Sequence, residues 1–484
     1  MPPSRTSLES RSLLWRRSPL FSPRHPFAWW ASSRRNARGA FLGAVTLVLA
    51  LTGTSVVVWT TPSISPATSA ARVVQSITEA EQLRTERDRL AARVAQLTAQ
   101  LNNRSASLGY TRAQLDASSQ AVASLKAQLS QLQAAQAAGA KPTTSSGHGS
   151  TSAAGRVTAP SKAELLNPAS PYFGMYTEQA PFNFASFDAT ATKIGARPSM
   201  VGYFAGWDQT FRADAVTSAW KRNMLPMMTW ESRPINDGNG VVDAPSYSLP
   251  NIIAGNFDAY LHQYAKDIVT TGLPLAIRLD HEMNSTWYPW VEDDGHGNSI
   301  NGNRAGDYVK MWQHVHDIFQ SEGANQFVIW VWAPNRVDNL TTSHRALAYL
   351  QSLYPGDGDV DWLGMSGYLR PPFTSGQQYT FDETFGTTLG QLRATAKKPI
   401  ILAEVGASET DGHKPAWIAN FFSGVNADAN KDIIGFSWFD LAISTYVQGS
   451  LATNDWRIDS RPESLAAFTA GLLGPGSRFH LTAT

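Results

Sequence analysis

The chain has 484 residues, of which 43% are hydrophobic and 16% are charged, so a wholly disordered protein is excluded. Its net charge is +1, and this balance lacks the overall positive charge that is typical of nucleic-acid-binding proteins. The absence of cysteine excludes disulfides, thiolate metal sites and cysteine nucleophiles.

The N-terminal segment predicts a membrane anchor. Residues 1–38 contain eight Arg and one Glu, a charge of +7, so the rest of the chain carries −6 of the total of +1. The next 21 residues, 39–59, contain no charge, and a helix of that length spans about 30 Å, the thickness of a bilayer's hydrocarbon core. We therefore predict a basic cytoplasmic head over 1–38 and a single-pass signal-anchor helix over 39–60, with all later residues outside the cytoplasm at the cell membrane. The alternative is a cleaved signal peptide and a secreted product.

A stalk and a linker are predicted to follow the anchor. From Val73 to Leu132 apolar residues recur at a spacing of seven, although the pattern is weak between Arg104 and Ser118. This repeat predicts an α-helical coiled coil over 73–136 that would act as a spacer and allow a homo-oligomer. A single solvated helix is the alternative. Residues 137–164 are mostly small and polar, which is typical of a flexible linker.

The remaining chain alternates between short apolar runs and longer amphipathic stretches such as 307–323. The apolar runs, which we predict to be strands, are Tyr172–Tyr176, Met200–Trp207, Leu225–Trp230, Leu275–His281, Phe327–Ala333, Trp362–Tyr368, Ile400–Val405 and Ile433–Phe439. Eight such units predict an α/β fold, a (β/α)8 TIM barrel over 165–475. An open doubly wound sheet is the alternative, but no Gly-rich phosphate loop follows the first strand.

Two glutamates lie at the carboxyl ends of predicted strands, where barrel enzymes keep their chemistry. Glu282 follows the fourth run and Glu404 lies in the seventh. Two carboxylates about 5–5.5 Å apart can cleave a glycosidic bond with retention, provided that their surroundings separate their pKa values. Each glutamate taken alone would more simply be a structural ion-pair partner. The pair together favours glycoside hydrolysis.

The stretch "RLDHEMNSTWYPW", residues 278–290, resembles glycoside hydrolase family 26, and the resemblance extends over about 165–475. In that family, as here, His precedes the acid/base glutamate. The resemblance implies a retaining barrel enzyme with Glu282 as proton donor and general acid/base and Glu404 as nucleophile, and with no metal or organic cofactor.

The resemblance also implies a substrate-binding set, in which Tyr368 hydrogen-bonds the nucleophile, Trp287 forms a sugar-stacking wall and Trp438 is a platform under the −1 sugar. The implied set consists of Arg278, His281, Asn284, Trp287, Tyr368 and Trp438. Three more tryptophans, at positions 207, 230 and 332, also fall at strand ends and would extend the cleft or pack in the core.

The sequence thus predicts a membrane-anchored hydrolase of β-mannan or a related β-1,4- or β-1,3-linked polysaccharide, and endo action is implied by the resemblance. Ser285 stands where mannan-cleaving members usually carry Gly, so mixed-linkage β-glucan, β-1,3-xylan and a bacterial exopolysaccharide are alternative substrates. Two other functions stay open: a non-catalytic carbohydrate-binding envelope protein, and a coiled coil that tethers an envelope complex. The oxygen-rich loop 292–303 lacks the spacing of a calcium loop, so we expect no metal there.

Overall fold

The computed structural model describes Arg84, Arg87 and residues 157–238, 240–371, 376–447 and 450–484. The predicted head and anchor, and the stalk apart from two helical arginines, lie outside these residues. Within the described ranges, no helix is long and apolar enough to cross a membrane.

Eight parallel strands close into a barrel in chain order, with β8 paired to β1. The strands are β1 Tyr172–Tyr176, β2 Met200–Gly206, β3 Leu225–Glu231, β4 Leu275–Leu279, β5 Val328–Trp332, β6 Trp362–Leu369, β7 Ile400–Ala407 and β8 Ile433–Phe439. The predicted barrel is confirmed, and each predicted strand ends within about two residues of the observed one. The strands read as continuous apolar runs because one face fills the barrel interior and the other packs on helices.

Helices surround the barrel and cover the outer faces of the strands. They are α1 Lys162–Leu166, α2 Ala185–Ile194, α3 Ala213–Trp220, α4 Leu249–Ile253, α5 Asp258–Thr271, α6 Asp307–Ser321, α7 Leu347–Ser352, α8 Thr387–Thr395, α9 Lys414–Asn426 and α10 Pro462–Leu473. A π-helical turn, Asp382–Gly386, leads into α8. The longest of them, α6, buries Tyr308, Met311, Trp312, Val315 and Phe319, the spacing of one helical face turned to the core.

The domain extends past both ends of the predicted range of 165–475. At its start, Lys162 forms an ion pair with Asp361 at 2.8 Å, so the last residues of the predicted linker belong to the domain. At its end, Ala483 forms a β-bridge with Ala196. The sequence prediction missed these extensions because both rest on pairings between residues that are distant in the chain.

A hairpin after β8 is an element that the sequence analysis did not predict. Its strands, β9 Ala442–Val447 and β10 Ser450–Asp455, pair antiparallel and return the chain to the carboxyl end of the barrel at Trp456. The backbone of Trp456 is fixed on both sides, because its N–H donates to Leu441 at 2.9 Å and its carbonyl accepts from the Trp438 indole at 2.6 Å.

Candidate active site

Glu404, the predicted nucleophile, lies within β7 and is buried at the carboxyl end of the barrel. The Tyr368 hydroxyl, from β6, donates to its Oε2 at 2.5 Å, and the guanidinium of Arg278, from β4, donates to its Oε1. Two other strands of the barrel, β4 and β6, therefore supply donors to the two carboxylate oxygens. Such charge-assisted bonds fix the orientation of the group and stabilise its negative charge.

Arg278 is itself fully buried and is held in place by hydroxyls from two other strands. It donates to Ser366 Oγ at 2.8 Å and to Thr229 Oγ1 at 3.3 Å. A buried guanidinium needs a counter-ion and hydrogen-bond partners; Glu404 is the counter-ion, and the two hydroxyls are further acceptors for Nη1 and Nη2.

Glu282, the predicted acid/base, lies beyond the end of β4 on an unusual backbone. Its φ is 55° and that of Asp280 is 39°, in the left-handed region that non-glycine residues seldom adopt. The turn is held because the Glu282 N–H donates to the Ala333 carbonyl, at the end of β5, at 2.7 Å. Strained backbone of this kind clusters at functional sites.

The surroundings of Glu282 differ from those of Glu404. Burial raises the pKa of the Glu282 carboxyl, and the negative charge of Glu404 raises it further. The cation of Arg278 and hydrogen bonds from Ser366 and Asn335 oppose that rise. The Trp287 indole also donates to Glu282 Oε2, at 3.1 Å. This arrangement favours a proton on Glu282 next to a carboxylate at Glu404.

His281 directly precedes Glu282 in the chain, lies near Glu404 and is also buried. Its Nε2 is 3.0 Å from the Tyr288 hydroxyl and 4.0 Å from Glu404 Oε1. Burial lowers the pKa of His281 well below its usual value, and the cations of Arg278 and Arg233 lower it further. The imidazole is therefore neutral at physiological pH.

Asn284 lies behind the site. Its side chain is fully buried and clamps the main chain of Asn335, accepting from its N–H at 2.8 Å and donating to its carbonyl at 2.9 Å. The amide is thus directed at the main chain, and its predicted contact with substrate stays a prediction. Asn284 fixes the residue whose side chain hydrogen-bonds Glu282.

Trp438 is not brought into the site either, because side chains alternate between the two faces of a strand. It is fully buried between β8 and the outer helices, with its ring centroid 5.1 Å from that of Phe468 and 6.2 Å from that of Phe421. The next residue, Phe439, faces the mouth of the barrel, where its ring lies 6.0 Å from Tyr368 and 5.5 Å from Trp456. The ring that β8 presents to the mouth is thus that of Phe439, one residue after the predicted Trp438.

The other strand-end tryptophans, Trp207, Trp230 and Trp332, are core residues. Trp230 is fully buried and stacks on Tyr264 at 4.5 Å. The Trp332 indole is also buried and donates to the carbonyl of Leu353 at 3.0 Å. Of the two readings that the sequence left open, packing is the one observed.

Comparison with known proteins identifies the family to which this site belongs. Residues 226–427, which include both glutamates, match the profile of glycosyl hydrolase family 26. The chain carries a glycoside hydrolase family 26 domain. Endoglucanase H of Acetivibrio thermocellus is 32% identical over 290 residues, which cover 58% of this chain and 28% of that protein. The chain thus matches less than a third of the length of that relative.

More distant relatives of the family 26 domain carry other names. A mannan endo-1,4-beta-mannosidase of Bacillus subtilis is 20% identical over 295 residues, covering 55% of this chain and 73% of that protein. Among solved structures, a β-mannanase from Bacteroides ovatus is 14% identical, with a TM-score of 0.45 and coverage of 65% of this chain and 92% of that one.

The family 26 domain holds further polar residues in its site that the sequence analysis missed. Thr229 and Glu231 lie in β3, Ser366 lies in β6 and Asn335 follows β5; all four are buried. A signal for the first two was present, since two polar side chains separated by one residue in an apolar strand share a face. Asn335 gave no such signal, because it lies in an irregular segment.

The loop after β4, residues 292–303, uses its carboxylates to bind main-chain N–H groups, both its own and those at the start of α6. Glu292 accepts from the N–H groups of Gly306 and Tyr308 at 2.8 and 3.0 Å, at the start of α6. Asp294 accepts from the N–H groups of His296 and Asn298 at 2.8 and 3.1 Å. Within the described residues no group of three or more His, Asp or Glu side chains could hold a metal ion.

Proposed function

We propose that the family 26 domain is a retaining, endo-acting hydrolase of a β-linked glycan. One observation carries this proposal: two buried glutamates at the carboxyl end of the barrel have opposite surroundings. Glu404 accepts from Arg278 and Tyr368 on its two oxygens. The pKa of Glu282 is raised, first by burial and then by the charge of Glu404. Retaining glycosidases need this combination of a carboxylate and a carboxylic acid.

In the first step Glu404 attacks the anomeric carbon and the bond from that carbon to the leaving oxygen breaks. Glu282 gives its proton to that oxygen, so the leaving sugar departs as a neutral alcohol. The product is a covalent glycosyl-enzyme ester on Glu404. Arg278 and Tyr368 hold the attacking oxygens in the orientation that this step needs.

In the second step Glu282, now a carboxylate, takes a proton from water as that water attacks the anomeric carbon. The ester bond to Glu404 breaks and the carboxylate is restored. Two inversions give net retention. The charge of Glu282 in this step is stabilised by the Trp287 indole N–H, which donates to Oε2 at 3.1 Å.

We propose β-mannan or a related β-1,4- or β-1,3-linked polysaccharide as the substrate. Support for a polymer comes from partly exposed aromatic rings at the mouth of the barrel, which suit the apolar faces of sugars: Phe204, Trp287, Tyr368 and Phe439. A glucan is the second candidate, because the relative at 32% identity is named an endoglucanase.

The test is reducing-end release by the purified chain on galactomannan, glucomannan, mixed-linkage β-glucan, β-1,3-xylan and β-1,3-glucan. We expect activity on one class of polymer, loss of that activity in Glu404→Gln, and early products longer than disaccharides. The matched control is Glu322→Gln, since Glu322 pairs with His262 at the outer end of α6. It should retain full activity.

A folded chain that is silent on all five polymers, but binds one of them, would replace hydrolysis with the carbohydrate-binding alternative. Activity that survives Glu404→Gln would show that another group is the nucleophile. Early release of only mono- or disaccharides from a long polymer would contradict endo action.

A further inference from the structure

The site contains another buried carboxylate that the proposed double displacement does not use. Glu231 ends β3 and is 2% exposed. It forms a bidentate ion pair with Arg233, whose Nε and Nη2 lie 3.1 and 3.0 Å from its two oxygens. Burial raises the pKa of Glu231, and the Arg233 cation opposes that rise. Such a buried ion pair contributes little net stability, because the cost of desolvation offsets the attraction.

Glu231 faces the buried side of His281. Its Oε1 lies 3.9 Å from His281 Nδ1, on the side of the ring opposite the Tyr288 hydroxyl and Glu404. Within the described residues, Nδ1 has no hydrogen-bond partner. Catalytic hydrogen bonds commonly tighten when substrate binds, so at 3.9 Å Glu231 is placed to become that partner.

A neutral imidazole carries its proton on one nitrogen and a lone pair on the other. If Nδ1 bore the lone pair, that lone pair would face the Glu231 carboxylate, and Nε2–H would face Tyr288 and Glu404. If Nδ1 bears the proton, an N–H faces the carboxylate and Nε2 accepts from the Tyr288 hydroxyl. Either arrangement places one lone pair near a carboxylate, 3.9 Å from Glu231 or 4.0 Å from Glu404. The second also gives the proton of the buried Tyr288 hydroxyl an acceptor, and the partner of one nitrogen fixes the role of the other.

We propose that Glu231 is a positioning residue that holds His281 in its Nδ1–H tautomer, so that Nε2 faces the reacting groups as an acceptor. The ring itself is well fixed, since its centroid lies 4.8 Å from that of Tyr288 and 5.8 Å from that of Trp290. Arg233 closes the cluster by packing over the Tyr288 ring at 4.9 Å.

This assignment rests on the proposed function where it concerns catalysis. With Nε2 as an acceptor, His281 does not add a third donor to Glu404, which keeps the electron density that attack on carbon requires. The charges also balance, because Arg278 pairs with Glu404, Arg233 pairs with Glu231 and His281 is neutral. A neutral His281 places no extra positive charge beside Glu282, so the acid keeps its proton.

The test reads the tautomer directly by NMR of the full chain labelled with ¹⁵N-histidine. The His281 signals are those missing from the spectrum of His281→Gln. We expect a protonated Nδ1 and an unprotonated Nε2 in the native chain. We expect Glu231→Leu/Arg233→Leu, which removes the ion pair as a unit, to move the proton to Nε2. An Nε2–H tautomer or an imidazolium in the native chain would overturn the proposal, as would an unchanged tautomer in the double variant.

The matched control is Glu322→Gln. His262 Nδ1 lies 2.7 Å from Glu322 Oε1, so this change should move the His262 signals and leave those of His281 in place. If the double variant does not fold, Glu231→Asp replaces it, because it withdraws the carboxylate by one methylene. A detectable fraction of the Nε2–H form is then expected, and unchanged signals would overturn the proposal.

The kinetic readout is separate. Removal of the carboxylate partner of a functional histidine costs about 10- to 100-fold in activity at metal sites, where its role is also to fix the ring. In the Glu231→Leu/Arg233→Leu variant we expect kcat to fall by about 10- to 100-fold, with KM nearly unchanged. The tautomer is measured without substrate, so the NMR result is valid even if no polymer is cleaved. The tautomer proposal and the proposed hydrolase function can therefore fail independently.

Discussion

The two proposed catalytic glutamates come from regions of different character. Glu404 lies within the paired strand β7, at a shift of register against both β6 and β8, and its two oxygens accept from side chains of β4 and β6. Glu282 lies on a loop beyond β4, with a left-handed backbone and contacts from loop residues. The barrel therefore presents one carboxylate on a hydrogen-bonded strand and the other on a loop.

This difference suits the two proposed roles. A nucleophile must attack along one direction, and a strand inside a closed barrel fixes that direction. An acid/base must change its charge twice in each cycle, so its surroundings have to serve both forms. Loop residues such as Trp287 and Asn335 donate to the charged form, while burial favours the neutral one.

The largest effect is expected from Glu282→Ala, which removes the proton donor and leaves Glu404 in place. On a polymer, kcat/KM should fall by about 10²- to 10⁴-fold, the usual contribution of general acid/base catalysis. An aryl glycoside with a strongly acidic phenol should lose little in the first step, because its leaving group does not need a proton. The measurement is kcat/KM on both substrates. An equal loss on both would mean that Glu282 is not the acid.

A smaller effect is expected from a change in Tyr368, the β6 residue that donates to Glu404. Tyr368→Phe removes the hydroxyl that donates to Glu404 at 2.5 Å. A hydrogen bond to a charged group contributes about 1.5–3 kcal/mol, so kcat should fall by about 10- to 100-fold. The matched control is Tyr354→Phe, since that hydroxyl donates to the exposed Asp357 at 2.8 Å and lies outside the site. A similar loss in the control would mean that the effect is one of folding.

The same contrast explains what could be predicted from the sequence. Residues that lie on strands could be predicted, because apolar runs locate the strands and a strand end locates Glu404 and Tyr368. The two hydrogen bonds of Asn284 to the main chain of Asn335 could not be predicted, since they join side-chain and main-chain atoms of two irregular segments. Trp438 shows a third limit: the pattern located β8 but left open which alternate residues face inward.

A pH measurement tests how Asn335, a loop residue, affects the pKa of Glu282. The Asn335 side chain hydrogen-bonds Glu282 and lowers its pKa, so Asn335→Ala should raise that pKa. Proton donation fails as the pH rises through the pKa of the acid, so the alkaline limb of kcat/KM should move to higher pH. Loss of one hydrogen bond of about 1 kcal/mol should shift the alkaline limb by about 0.7 pH unit. An alkaline limb that stays in place or moves to lower pH would contradict the assignment of Glu282 as the acid.

The smallest expected effect distinguishes the two faces of β8. Phe439→Ala removes a ring that faces Tyr368 and Trp456 at the mouth, so KM should rise several-fold, by about 1 kcal/mol of lost sugar contact.

Trp438→Phe keeps an aromatic ring among the helices but loses the bond to the Trp456 carbonyl. It should cost about 1 kcal/mol of unfolding free energy and change KM by less than about twofold. Steady-state kinetics and thermal unfolding of both variants separate the two roles. If Trp438→Phe alone raised KM, the substrate-facing ring would be the one that the sequence predicted, and the register of β8 would have to shift by one residue.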